Sequence, residues 1–306
     1  MYHLNCKNDQ VHFILNHLIH PYLDDDTDFI LTFGMSKISL PRAIEQNRPD
    51  IFRWYIYREL LHEQESTSIV QSQKGLEYIR ILHDQCPGHP QLGKTMDLAA
   101  QYGHLKIIKF LHEHRTEGCT PTAMDWAAMN GHLEVVKFLH ENREEGCTPS
   151  AMNLAAREGY LDIVKFLHEH RTEGCARWAM DWAAKHGQLE IIKFLHEHRT
   201  EGCTTDAMNW AACYGHLQVV QFLHNNRGEG CTTRAMDMAA CCGHLDIVQF
   251  LHEHRGEGCT REAMDLAARS GHLDIVQFLH EHRTEGCTHW AMDWAAMNGH
   301  LDIVQF

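Results

Sequence analysis

Apolar residues recur along this chain at helical spacing in two short blocks that keep alternating. In "HLEVVKFLHENR" at 132–143, Leu133, Val135, Val136, Phe138 and Leu139 form one stripe. The block before it, "CTPTAMDWAAMNG" at 119–131, predicts a first helix. Thr120 ahead of Pro121 is an N-cap followed by proline in the first turn, and Gly131 stands where a left-handed residue stops a helix. Glu134 near the start of the second block and Arg143 at its end carry the signs that the helix dipole favours. "EEGC" at 144–147 then turns the chain back.

The two blocks form a repeating unit. Gly103, Gly131, Gly159, Gly187, Gly215, Gly243, Gly271 and Gly299 follow one another every 28 residues, and Cys119, Cys147, Cys175, Cys203, Cys231, Cys259 and Cys287 keep the same step. From Thr95 onward one unit is written eight times, the last incomplete. A pair of helices this short cannot bury its stripe alone, so neighbouring pairs must stack. The expected fold is all-α, an α-solenoid of stacked helix-turn-helix repeats.

"AMDWAAMNGHLEVVKFLHENR" at 123–143 resembles the ankyrin repeat: a first helix packed through Ala-Ala, a glycine-histidine turn, and a second helix filled by Val-Val and Phe-Leu. The resemblance covers residues 95–306. The unit is shorter than that family's usual ~33 residues, and Ala-Met-Asp or Ala-Met-Asn replaces its Thr-Pro-Leu-His. Short loops without long β-hairpin fingers are therefore expected. The resemblance implies a non-enzymatic, cofactor-free scaffold in the cytoplasm or nucleus that binds a protein or peptide through its concave face.

The register continues weakly upstream. "AIEQNRPDIFRW" at 43–54 aligns with "AAQYGHLKIIKF" at 99–110, and "LEYIRILH" at 76–83 with "LKIIKFLH" at 105–112. One to two divergent repeats with an insertion are expected over 39–94. Residues 1–38, with Phe13, Leu15, Leu18 and Ile19, are expected to form an N-terminal cap or divergent segment. "LPRAIEQNRPDIF" at 40–52 also suggests an F-box-like element, which would make the chain a substrate adaptor recruiting a ubiquitin ligase. At the other end Ile303, Val304 and Phe306 are expected on an unfinished helix.

Composition narrows the partner. A formal charge of −14 gives no overall basic field for nucleic acid or anionic lipid. No leader and no membrane-length apolar run is evident, and cysteines at one fixed spacing read as reduced thiols in a monomeric chain. Residues 151–178 carry four Lys/Arg and four Asp/Glu, whereas residues 235–262 carry two and five. Toward the C-terminal half this favours a partner with basic character.

The recurring "FLHEHRTEGC" offers histidine and cysteine, but no convergent metal site. Corresponding residues of stacked helices lie about 8–10 Å apart, too far to share one ion or a disulfide. His112 is expected to pack against the next repeat with a hydrogen bond, His114 to lie in the open, and the cysteines to act as small buried hydrophobes. Histidines charged in acid would loosen the array. No phosphate loop, nucleophile elbow or HExxH occurs, so no catalytic or metal residue is expected.

Candidate binding residues come from comparing the repeats with one another. Four first-helix positions vary while their surroundings do not, and they fall at i, i+4, i+7 and i+8, on one face. On this face stand Trp126, Met129 and Asn130; Arg157 and Glu158; Trp178, Trp182, Lys185 and His186; Asp206, Trp210 and Tyr214; Met238; Arg269; and Trp290 and Trp294. A varied, tryptophan-rich strip on a fixed frame is what recognition requires.

Overall fold

The computed structural model describes residues 92–306 apart from residue 117, together with Leu76 and Arg80. The expected N-terminal cap, the F-box-like element and nearly all of the 39–94 segment lie outside the described residues. The chain divides into two units, Met1–Leu98 with Lys106–Glu117, and Ala99–Leu105 with Gly118–Phe306. Within the first, the Arg80 guanidinium stands 5.5 Å from the Phe110 ring centroid.

The described residues form helices and no strands. In chain order these are α1 (Leu92–Gln101), α2 (Leu105–His114), α3 (Pro121–Met129), α4 (Leu133–Asn142), α5 (Pro149–Glu158), α6 (Leu161–His170), α7 (Trp178–Lys185) and α8 (Leu189–His198). They continue as α9 (Thr205–Cys213), α10 (Leu217–Asn226), α11 (Thr233–Cys241), α12 (Leu245–His254), α13 (Arg261–Ser270), α14 (Leu273–His282), α15 (His289–Met297) and α16 (Leu301–Gln305). From α3 to α15, successive odd-numbered helices pack directly on one another. From α4 on, each even-numbered helix packs mainly on its own partner and only sparsely on the next even one. The second unit is thus a stack of helix pairs joined by short loops such as 143–148.

The Ala-Ala seams explain the close packing of the first helices. Ala127, Ala128, Ala155, Ala156, Ala183 and Ala184 are all fully buried, and a methyl side chain lets two backbones approach. In the second helices the core is narrower than the predicted stripe: Val135, Val136 and Leu139 are buried, whereas Leu133 and Phe138 are half-buried. Each fully buried Val or Leu contributes roughly 1.5–3 kcal/mol.

Threonine caps most of the first helices as expected, the exception being Thr232, which makes no side-chain cap to α11. The Thr148 hydroxyl accepts from Ser150 N–H at 3.1 Å, and the Thr120 hydroxyl from Thr122 N–H at 3.3 Å. Where Ala176 replaces the threonine there is no hydroxyl, and α7 begins later, at Trp178, after an Arg177 that makes no side-chain cap.

Three kinds of polar link join neighbouring pairs, the third only where a histidine starts the second helix, since Tyr160 and Gln188 stand there in two pairs. The first is the buried third residue of Ala-Met-Asp. Asp125 accepts from Thr148 N–H at 2.8 Å and from the Thr148 hydroxyl at 2.7 Å, so one hydroxyl both caps α5 and ties it to α3. Asp181 with Thr204, Asp237 with Thr260, and Asp265 with Thr288 repeat the arrangement. Asn153 and Asn209 serve in the same way, accepting from Ala176 N–H at 2.9 Å and Thr232 N–H at 3.0 Å.

The second link is an Arg-x-Glu clasp in each turn. Arg143 Nε donates to Glu145 Oε2 at 3.1 Å, its Nη2 donates to Oε1, and Oε1 also accepts from Cys119 N–H of the preceding turn at 3.1 Å. The glycine before the cysteine makes room for the clasp. Gly146 has φ +72°, and a Cβ there would stand 2.5 Å from Arg171 Nη2.

The third link is the histidine that starts the second helix. His132 Nε2 donates to Gln101 O at 3.1 Å, His216 Nε2 to Lys185 O at 3.1 Å, and His244 Nε2 to Cys213 O at 3.1 Å. A carbonyl can only accept, so Nε2 carries the hydrogen. These bonds satisfy last-turn carbonyls across the repeat boundary.

Candidate functional site

Once the odd-numbered helices are wedged between their neighbours, what stays open is set by helical geometry. In α7, Ala179, Met180, Asp181, Ala183 and Ala184 are buried. Trp178 and His186 are exposed, and Trp182 and Lys185 half-buried. The same division holds for every candidate position: Trp126, Met129, Asn130, Arg157, Asp206, Trp210, Met238 and Trp294 are half-buried, while Glu158, Tyr214, Arg269 and Trp290 are exposed. None of the sixteen is buried. Trp178 at 53%, Tyr214 at 51% and Trp290 at 47% exposure are unusually open for large aromatic side chains.

Neighbouring strip residues organise one another. Trp178 and Trp182 stack with ring centroids 5.6 Å apart, and Trp290 and Trp294 at 5.3 Å. Cations from the preceding repeat stand against the deeper rings and Tyr214: Arg157 lies 5.8 Å from the Trp182 centroid, Lys185 5.7 Å from Trp210 and 5.3 Å from Tyr214, and Arg269 5.5 Å from Trp294. Such contacts contribute about 0.5–1 kcal/mol each at exposed sites, enough to hold rotamers. Arg157 also pairs with Glu158 at 2.6 Å, and Asn130 Nδ2 donates to Trp126 O at 2.8 Å. From α5 to α9 the strip is therefore a run of aromatic faces interleaved with cations; α13 and α15 carry a second such group.

The acidic residues lie mostly elsewhere. Of the five between 235 and 262, Asp237 is buried in its link to Thr260 and Glu257 is clasped by Arg255. Asp246 and Glu253 belong to α12, and only Glu262 lies on the strip. The negative charge of this part belongs mainly to the second-helix side.

The histidine and cysteine ladders take structural positions. His140, His168, His224 and His252 are half-buried, edge-on to Phe166, Phe194, Phe250 and Phe278 of the next repeat at 5.4–5.5 Å. The hydrogen bond expected at this position is missing from all four, whose Nδ1 atoms are buried without a partner; an aromatic edge contact has taken its place. At His196, Arg227 Nη1 donates to Nδ1 at 3.4 Å. Burial, then the next repeat's arginine and histidine, push His140 and His224 below the ordinary histidine range. The second histidine of each pair is exposed: His170 stacks on Phe166 at 4.3 Å and donates from Nδ1 to its carbonyl at 2.9 Å.

Cys203, Cys231 and Cys259 are buried, but Cys119, Cys147 and Cys175 are half-buried and Cys287 is exposed, so the expectation of buried cysteines holds for only part of the column. Among the described residues no group of three or more His, Cys, Asp or Glu is placed to hold a metal ion, and no described helix is long and apolar enough to cross a membrane.

The sequence pattern gave no warning of two features. The buried Asp and Asn links looked like a mere departure from a family motif, although their fixed place next to Ala-Met was a signal. Cys213 approaches Cys242, 29 residues on and so one residue off the repeat step, where a search by repeat spacing does not look.

No curated protein matches the chain. A model of the family described as ankyrin repeats (3 copies) matches it over residues 40–144, 96–177, 125–206, 180–263 and 236–306. Ankyrin repeats are in general protein–protein interaction modules. The stacked helix pairs, the glycine-histidine turns and these matches lead to one conclusion: the chain belongs to the ankyrin-repeat family.

Proposed function

We propose that the chain is a non-enzymatic scaffold of the cytoplasm or nucleus that binds a protein or peptide along the first-helix strip. One observation carries this reading. Among the described first helices from α3 on, the four positions that vary between repeats are all half-buried or exposed, and they hold stacked tryptophans with cations already set against them. Aromatic and arginine side chains fixed before binding are the usual anchors of interfaces, because little side-chain freedom is lost on contact. Their chemistry suits a segment offering aromatic or aliphatic anchors and carboxylates to the strip cations. A basic partner would gain its attraction from the acids of the second-helix side instead.

Affinity capture with the wild-type chain and a Trp182→Ala, Trp210→Ala variant tests the proposal. The variant is expected to lose its partners while keeping the wild-type circular dichroism spectrum. Equal recovery from a folded variant refutes the strip as the binding surface.

A further inference from the structure

Cys213, Cys241 and Cys242 stand apart from the repeated cysteine column. Cys213 ends α9, Cys241 ends α11, and Cys242 caps it with φ −95° and ψ 2°. The helices α9 and α11 pack directly on each other. This contact brings the sulfurs of Cys213 and Cys242, 29 residues apart in sequence, to 3.9 Å. Arg269 Nη2 donates to Cys241 Sγ at 3.9 Å, which turns the third thiol toward the following repeat.

The same two positions hold Met129 and Asn130, Arg157 and Glu158, Lys185 and His186, Arg269 and Ser270, and Met297 and Asn298 in other repeats. The thiols are thus a local feature of two neighbouring repeats on the open strip. Cys242 is exposed and Cys213 half-buried. Burial, then the neighbouring Cys213 and Cys241, raise the Cys242 thiol above the ordinary cysteine range, as burial does for the thiols of the repeated column, so what sets this pair apart is the approach of its sulfurs.

We propose that Cys213 and Cys242 are a modification site, closing into a disulfide between adjacent repeats when the chain meets a peroxide-class oxidant. The sulfur of Cys213 attacks a peroxide oxygen; an S–O bond forms, the O–O bond breaks and, with hydrogen peroxide, water leaves. The resulting sulfenic acid is attacked by the Cys242 sulfur. The S–S bond forms as the S–O bond breaks, and the departing hydroxide takes the Cys242 proton to become a second water. Two thiols are oxidised and one peroxide is reduced.

The geometry needs little change. The sulfurs must approach by about 2 Å to reach a bonding distance of about 2.05 Å, a movement within reach of side-chain rotation at two helix ends. The bridge would span one repeat boundary and fix an apolar link beside Tyr214, at the middle of the strip.

The test uses the full chain, reduced, freed of reductant, treated with a small excess of hydrogen peroxide and blocked with N-ethylmaleimide. Non-reducing peptide mapping is expected to find the Cys213 and Cys242 peptides joined, with the loss of two hydrogen masses. The Tm should rise by a few degrees and return on addition of dithiothreitol. Cys241→Ser should keep the link and Cys213→Ser should abolish both effects. The proposal is overturned if both cysteines carry the maleimide after treatment, if the link goes to Cys241 or to another chain, or if Cys213 is found over-oxidised beside a free Cys242. The wild-type map alone decides between these results even if a variant fails to fold.

Discussion

At the scale of single residues, the buried carboxylates are the most informative side chains in the array. Burial raises Asp125, Asp181 and Asp237 above the ordinary aspartate value, while the hydrogen bonds from the facing threonines pull each of them back down. Charge is therefore a cost at this position, and acceptance of the threonine N–H is the benefit. The chain contains its own control, since Asn153 and Asn209 make the same backbone link without charge. Asp181→Asn should leave stability nearly unchanged near neutral pH, whereas Asp181→Ala should cost about 1–3 kcal/mol because Thr204 N–H loses its acceptor. Urea unfolding of the two variants measures the difference; equal losses would show that the link is not what holds the residue in place.

At the scale of the helix pair, the turns divide glycines into those that cannot change and those that can. Gly146 combines a left-handed backbone with a site where a Cβ would collide with the Arg171 clasp, so Gly146→Ala should destabilise by more than the ~1–2 kcal/mol of the left-handed backbone alone. Gly256, which has open space around it, occupies the position held by Thr172, Thr200 and Thr284 in sibling turns. Gly256→Thr should be neutral or raise stability by about 0.4–1 kcal/mol through the unfolded chain. Thermal unfolding of both variants tests this, and a destabilised Gly256→Thr would contradict it.

The pair is also where the sequence was most legible. Thr-Pro starts, Gly stops and the Val-Val and Leu core positions could be read directly, because capping and periodicity act within a few residues. The His140 edge contact on Phe166, the Asp–Thr ties and the Cys213–Cys242 approach could not, since each depends on how one pair is placed on the next. Variation between repeats indicated which first-helix positions stay open, but not that Arg157, Lys185 and Arg269 would cover the tryptophans.

At the scale of the whole array, identical links titrate together. His140 and His224 are depressed by burial first, then by Arg171 and His170 or by Arg255 and His254, with Glu141 and Glu173, or Glu257, opposing. A histidine held below its unfolded value of 6.5 binds its proton less readily in the native state, so stability is full above pH 6.5 and falls as the pH drops below it. The clasp carboxylates Glu145 and Glu229, held down to about 2 chiefly by Arg143 and Arg227, add a second loss as the pH falls from 4.5 toward 2. Asp125, Asp181 and Asp237, raised above 3.8, partly offset it. The Tm is expected to drop between pH 8 and pH 5.5, and a His140→Leu, His224→Leu variant to drop less. An unchanged wild-type Tm over that range would rule out the histidine contribution.

The ties from Asp125 to Thr148, from Glu145 to the Cys119 turn and from His132 to Gln101 all reach only to an adjacent pair. A pull on the ends of such a stack loads its seams in series, and each seam holds or gives way without support from any but its neighbours. Stretched, the array should pay out one pair at a time, with evenly spaced drops in force.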